Sequence, residues 1–144
     1  MIFLKFLQEF SLQLRILFQQ QYFITKEGLV MIVTERKTDI FERRAGGKGN
    51  TIMEHIVDEK VYGGKIAAYA RVILKPGCSL GYHKHEGTSE TIYILQGTAL
   101  YNDNGTENTL TAGAVVFCPE GESHSIENIG QDDLLAMALI VNEK

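Results

Sequence analysis

His83 and His85 are separated by a single residue in the stretch GYHKHEGTSE (81–90), and Glu90 closes it five residues later. Imidazole nitrogens and a carboxylate oxygen are donors that divalent transition metals take from proteins, so three such groups brought to one point outline a metal site. Alternate residues of a strand share a face. His83 and His85 then point the same way, with Tyr82 and Lys84 opposite. EGTS (86–89) is turn chemistry, and the expectation is a hairpin in which Glu90 faces the two histidines, with Ile92 and Ile94 continuing its face into an apolar interior. A fourth donor is expected from the two remaining histidines. His124 follows CPEGES (118–123), a Pro-Gly turn that sets it at the start of a strand whose inner face also carries Ile126. His55, inside the apolar run IMEHIV (52–57), is read as structural or on the surface.

Chemistry at such a site also needs a proton donor or acceptor, or a positive group for an anionic substrate. Tyr69 and Arg71 share one face of AAYARVIL (67–74). Turned inward, Arg71 is the natural clamp for a substrate carboxylate, because guanidinium grips carboxylate in a two-pronged fashion. Tyr101 is a further titratable group in the neighbourhood. Tyr82 and Tyr93 fall on the face opposite the donors, which predicts the exterior or a contact between copies.

The elements that must position these residues are short strands. TIMEHIV, KIAAYARVIL, SLGYHKH, ETIYIL, TALY, ENTL, AVVFC, HSIEN and LLAMALIV are β-type runs, divided by YGG, KPG, EGTS, QG, NDNG, TAG, PEGE and NIGQDD. Regular short strands with Gly, Pro and Asn/Asp turns predict an all-β sandwich or barrel. YNDNGT (101–106) reads as a tight hairpin, since Asn and Gly tolerate positive φ. MIVTER (31–36) is a further short β-type run. RRAGGKGN (43–50) has the glycines and lysine of a phosphate loop, but no GKS/T follows, and a flexible lead-in segment is expected instead.

With 144 residues, 44% of them hydrophobic, the chain is sized for one domain with a real core. A net charge of -4 without a dense Lys/Arg patch argues against nucleic acid as the partner. Two cysteines, Cys78 and Cys118, are too few for a disulfide scaffold and suit a reducing cytoplasm as small buried hydrophobes. Residues 1–30 are rich in Phe, Leu and Ile. Lys5, Glu9 and Arg15 cut them into runs too short to span a bilayer, and Glu9 interrupts the core a secretory signal needs. Lys26-Glu27-Gly28 can be encoded as a purine-rich ribosome-binding sequence with Met31 at start-codon spacing. Residues 1–30 are therefore expected to be a translated leader, the alternatives being a helix docked on the domain or lying on a membrane surface. Residues 31–144 are expected to form the domain.

The glycines and histidines fall into a known pattern. Gly77, His83, His85, Glu90 and Gly97 fit G-x5-H-x-H-x4-E-x6-G, and Gly113, Pro119, Gly121, His124 and Asn128 fit G-x5-P-x-G-x2-H-x3-N. In both, over roughly residues 64–141, the chain resembles the cupin superfamily, and more distantly its oxalate decarboxylase-type members. The resemblance implies a small antiparallel jelly-roll β-barrel, often a homodimer, with a metal at its mouth held by His83, His85, Glu90 and His124. Three neutral imidazoles and a carboxylate suit one divalent transition metal, Mn or Fe first and Ni or Zn next, and leave two positions of an octahedron free. The larger decarboxylases of the family carry an acid on a lid loop, for which Glu86 in EGTSE is the nearest equivalent. Two functions follow: a metal-dependent decarboxylase, dioxygenase or isomerase acting on a small carboxylate or sugar-like molecule, or a non-catalytic module that binds or senses a small ligand. A positioned acid or base favours the first, and a dry aliphatic pocket the second.

Overall fold

A computed structural model describes residues 36–143. The N-terminal segment 1–30 and nearly all of the MIVTER run lie outside the described residues. The chain from Thr38 onward forms ten strands: β1 (Thr38–Glu42), β2 (Asn50–His55), β3 (Ile66–Leu74), β4 (Ser79–Lys84), β5 (Thr88–Gln96), β6 (Thr98–Asp103), β7 (Thr106–Thr111), β8 (Val115–Cys118), β9 (Ser123–Asn128) and β10 (Leu134–Asn142). They pair antiparallel in two sheets, ordered β1-β2-β3-β10-β5-β8 and β4-β9-β6-β7. This is the all-β jelly-roll architecture that the residue pattern and the resemblance imply.

Period-two burial sets which face of each strand looks inward. On β3, Ala68, Ala70, Val72 and Leu74 are buried and the residues between them are not. On β9, His124, Ile126 and Asn128 are buried. Ile92 and Ile94 of β5 and Leu134, Ala136 and Ala138 of β10 extend the β3 side of the core, facing β9 of the other sheet. The site therefore stands at one end of an aliphatic interior.

Three features depart from the sequence expectations. First, β4 and β5 are not a hairpin: they belong to different sheets, and Glu90 meets the histidines across the interior rather than along a ladder. Strand β4 pairs instead with β9, which sets His83 directly opposite His124. Second, the RRAGGKGN segment is built into the fold. A 3₁₀ turn at Arg44–Gly46 leads into a pairing with β4, in which Ser79 N–H donates to the Lys48 carbonyl (2.8 Å) and Lys48 N–H to Ser79 Oγ (2.8 Å). The approach is so close that a Cβ on Gly81 would stand 2.1 Å from the Ala45 carbonyl oxygen, so only glycine fits there. Third, β1 is an added edge strand with three of its five residues exposed, which left little hydrophobic signal in TDIFE. The β6–β7 hairpin turns at Asn104 (φ 48°) and Gly105 (φ 93°), as the NDNG signal predicts.

Candidate metal centre

Each donor is brought in by a different piece of local structure. His83 lies one residue before the end of β4, and its ring is set by the strand's own backbone: Nδ1 lies 2.9 Å from the Gly81 carbonyl. His85 stands just beyond β4, where its N–H donates to the Glu122 carbonyl (2.9 Å) and its carbonyl accepts from Gly121 N–H (2.8 Å). The Pro119–Gly121 turn thus braces His85. His124 opens β9, and Glu90 lies on the buried face of β5. One donor atom from each of the four lies within 4.8 Å of the others.

The three imidazoles turn the same nitrogen inward. His124 Nε2 is 3.0 Å from His85 Nε2, 3.2 Å from His83 Nε2 and 3.0 Å from Glu90 Oε2, while His85 Nε2 is 3.3 Å from Glu90 Oε2. The outward nitrogens are all occupied: His83 Nδ1 by Gly81 O, His85 Nδ1 by Thr88 Oγ1 (2.9 Å) and His124 Nδ1 by the Tyr101 hydroxyl (3.0 Å). A histidine whose second nitrogen is engaged in this way is oriented and fixed for ligation. Two nitrogens held side by side at roughly 2.1 Å from one ion are about 3.0 Å apart, so the spacing suits a shared cation.

Burial shapes the charge of the centre. His85, Glu90 and His124 are buried, and His83 is half-buried. Burial pushes the Glu90 carboxyl up, but the hydrogen bonds from His124 and His85 outweigh it and hold the group at about 2, against an ordinary 4.5. Burial lowers the His83 imidazole below its ordinary 6.5. The result is an ionised carboxylate beside a neutral imidazole, the protonation states in which both act as ligands. The chemistry and spacing of the donors thus fit one divalent transition ion.

The expected catalytic residues are not brought to this cluster. Tyr69 and Arg71 lie on the outer face of β3, and Arg71 Nε donates to Glu54 Oε2 of β2 (2.8 Å). Arg71 is thus engaged across β2 and β3 on the outer face, away from the four donors. Glu86 is exposed in the β4–β5 connection, 3.8 Å from Lys84 Nζ. His55 lies away from the four donors, with Nε2 2.9 Å from Asp39 Oδ2 across β1 and β2. Tyr82 and Tyr93 are exposed, and Cys78 and Cys118 are both free. Asn128 of the second motif is fully buried and works structurally: its Nδ2 donates to the Leu74 and Asp132 carbonyls, and its Oδ1 accepts from Gly130 N–H. What the sequence reading missed is the supporting layer, Thr88 and the Tyr101 hydroxyl.

Beneath the donors lies a cavity of about 20 Å³, space for a water or two. Its walls include Val72, Leu74, Ile92, Ile126 and Leu134, and Glu90 is its only charged lining residue.

Comparison with known proteins agrees with this architecture. The family profile described as "Cupin domain" matches residues 70–141. A Thermotoga maritima protein named "Oxalate-binding protein" is 43% identical over 120 residues, which span 81% of this chain and 98% of that one. A crystal structure from Thermotoga maritima, described as a predicted oxalate decarboxylase, is 40% identical, covers 79% of this chain and 99% of that one, and superposes with a TM-score of 0.73. The Cnp3 cupin domain of Schizosaccharomyces pombe shares the fold at 15% identity, with 85% of each chain covered and a TM-score of 0.62.

Proposed function

The chain belongs to the cupin domain family, and on that premise we propose that it is a metal-dependent binding protein for a small carboxylate, with oxalate the first candidate. His83, His85, Glu90 and His124 hold the ion, Mn or Fe first and Ni or Zn also suited to the donors. When bound, the ion supplies the positive charge and free coordination positions that a small carboxylate requires. The observation that carries the reading is the convergence of four donor atoms within 4.8 Å of one another, above an interior that is aliphatic apart from Glu90. The cavity beneath them has room for only a water or two and offers no cation, so the small carboxylate would bind at the ion's free positions and its charge would be answered at the donor cluster. The name of the 43% identical relative supports oxalate as that ligand.

A second reading, a metal-dependent decarboxylase, dioxygenase or isomerase, is favoured by the complete four-donor set. Against it, none of Tyr69, Arg71 and Glu86 reaches the cavity lining, and among the described residues the lining offers no acid or base beyond Glu90. Equilibrium dialysis of labelled oxalate against manganese-loaded protein, with carbon dioxide release and oxygen uptake followed in parallel, separates the readings. The binding protein retains about one oxalate per chain, only when loaded, and turns none over. Carbon dioxide release or oxygen uptake establishes the enzyme instead, and absence of metal-dependent oxalate retention contradicts the proposal.

We propose further that residues 31–144 are the functional unit, with 1–30 a translated leader; an intact mass from the native host that includes Met1 contradicts this. The unit pairs with a second copy. Val115 is registered against Tyr93 and Tyr93 against Met137, while Phe117 is registered against Thr91 and Thr91 against Leu139. These rows give the larger sheet an apolar outer face on which Phe117 and Val115 are each 61% exposed. Light scattering at micromolar concentration is expected to give twice the chain mass, and a strict monomer contradicts the pairing. The proposed setting is the cytoplasm, where Cys78 and Cys118 stay reduced.

A further inference from the structure

The smaller sheet turns its other face away from the metal centre. On β6, Leu100 and Asn102 alternate with the buried Ala99 and Tyr101, and on β9, Ser125 and Glu127 alternate with the buried His124, Ile126 and Asn128. These four outward residues line a cavity of about 180 Å³, far larger than the one beneath the donors. The glycine-rich segment forms one wall: Gly46, Gly47 and Lys48 stand against β4, tied to it by the hydrogen bonds between Lys48 and Ser79. A β-bulge shapes the same edge. The register passes from Leu80 against Ile126 to His83 against His124, so Gly81 and Tyr82 together oppose Ser125, and all three line the cavity.

The lining disfavours an anion. Among the described residues Lys48 is its one cation, and its ammonium already lies 2.8 and 2.9 Å from the two oxygens of Glu127, while Glu107 adds a second carboxylate. The lysine of RRAGGKGN is therefore not left free to hold a phosphate. What the ion pair offers instead is a donor and an acceptor side by side. An ammonium has three N–H groups and a carboxylate about four acceptor positions, so both keep capacity once they have paired. Neighbouring hydroxyls on a sugar ring each donate and accept, and two of them match such a pair. Asn102 spends its Oδ1 on Gly105 N–H (2.7 Å), which leaves Nδ2 to donate, and Ser125 contributes a hydroxyl. Leu100 and the Tyr82 ring add the apolar surface against which the C–H face of a sugar packs. We propose that this pocket is a second binding site, separate from the metal centre, for a neutral polyhydroxylated ligand of monosaccharide size.

The test is proton–nitrogen correlation NMR of the full chain, titrated into the millimolar range with D-glucose, D-galactose and D-mannose in turn and with inorganic phosphate. The expected result is a saturable shift with at least one sugar at the amides of Gly47, Lys48, Tyr82, Asn102 and Ser125, with Glu90 unmoved, and no shift there with phosphate. Glu127→Gln, which breaks the ion pair, and Tyr82→Ala, which removes the packing surface, are each expected to weaken sugar binding about 10-fold. The dispersion of each variant's own spectrum shows that it folds. Asp133→Asn breaks a comparable exposed pair, Lys75 Nζ to Asp133 Oδ2 at 2.7 Å, outside the pocket, and is expected to leave binding unchanged. Absence of a saturable shift with all three sugars overturns the proposal, as does sugar binding that Glu127→Gln and Tyr82→Ala both leave unaltered. Phosphate binding at the same amides overturns the neutral class of ligand.

Discussion

Glu90 and His83 carry the pH response of the centre. The folded Glu90 carboxyl lies at about 2 against an ordinary 4.5, a depressed value. Its ionised form therefore adds stability that is complete above about 4.5 and is lost as pH falls toward 2. Acid denaturation of the metal-free protein followed by circular dichroism should show this, and Glu90→Gln should flatten the low-pH limb. The lowered His83 imidazole works in the same direction for the ion: it stays unprotonated below its ordinary 6.5, so bound metal is retained at that pH and released further into acid. Release that is already complete at 6.5 would contradict the burial of His83. The four donor residues were legible in the sequence because donor type and spacing are local properties. Tyr101 and Thr88 were not recognised as supports, because which hydroxyl meets which Nδ1 depends on registers between strands, here Tyr101 against Ile126 of β9. Arg71 was ambiguous for a related reason. In AAYARVIL apolar residues fall on both faces of the strand, and parity alone does not say which face is inside.

Strand β4 shows how far the elements could be read. Its limits agree with the expected run SLGYHKH to within one residue, as turn chemistry on both sides bounds it. The error lay in its partner. EGTS marks a reversal of the chain, but a reversal within one sheet and a crossing between two sheets have the same turn residues. The donor face survived the error because parity is a property of the strand itself. The glycine-rich segment failed in the opposite way: its flexible composition reflects close packing against β4, where Gly47 and Gly81 leave no room for side chains. Gly81→Ala forces a methyl against the Ala45 carbonyl and displaces the acceptor of His83 Nδ1. It should cost about 1–3 kcal/mol of stability in urea unfolding and weaken metal binding with it. Wild-type stability in this variant would show that the segment does not press on β4.

On the scale of the whole molecule, charge at the barrel mouth favours one of the proposed ligands over the other. Glu86, Glu120 and Glu122 are exposed on the connections that bracket His85, with Lys84 beside Glu86. Gly87 N–H donates to Glu120 Oε1, which ties the two connections together. A negative rim on a chain of net charge -4 draws in a divalent cation and repels a dianion. Added salt should therefore slow metal association and speed that of oxalate with the loaded protein in stopped-flow measurements. The same sign for both would remove the rim from the account. Such a surface property was out of reach of the sequence, since these glutamates are adjacent only after β4, β5 and β9 are placed. The most direct test of the central claim is elemental analysis of the purified protein beside His124→Ala, each loaded with manganese or iron and then desalted. The account predicts about one metal ion per chain in the wild type and a large loss in the variant. No metal in either protein, or equal metal in both, contradicts a centre built from His83, His85, Glu90 and His124.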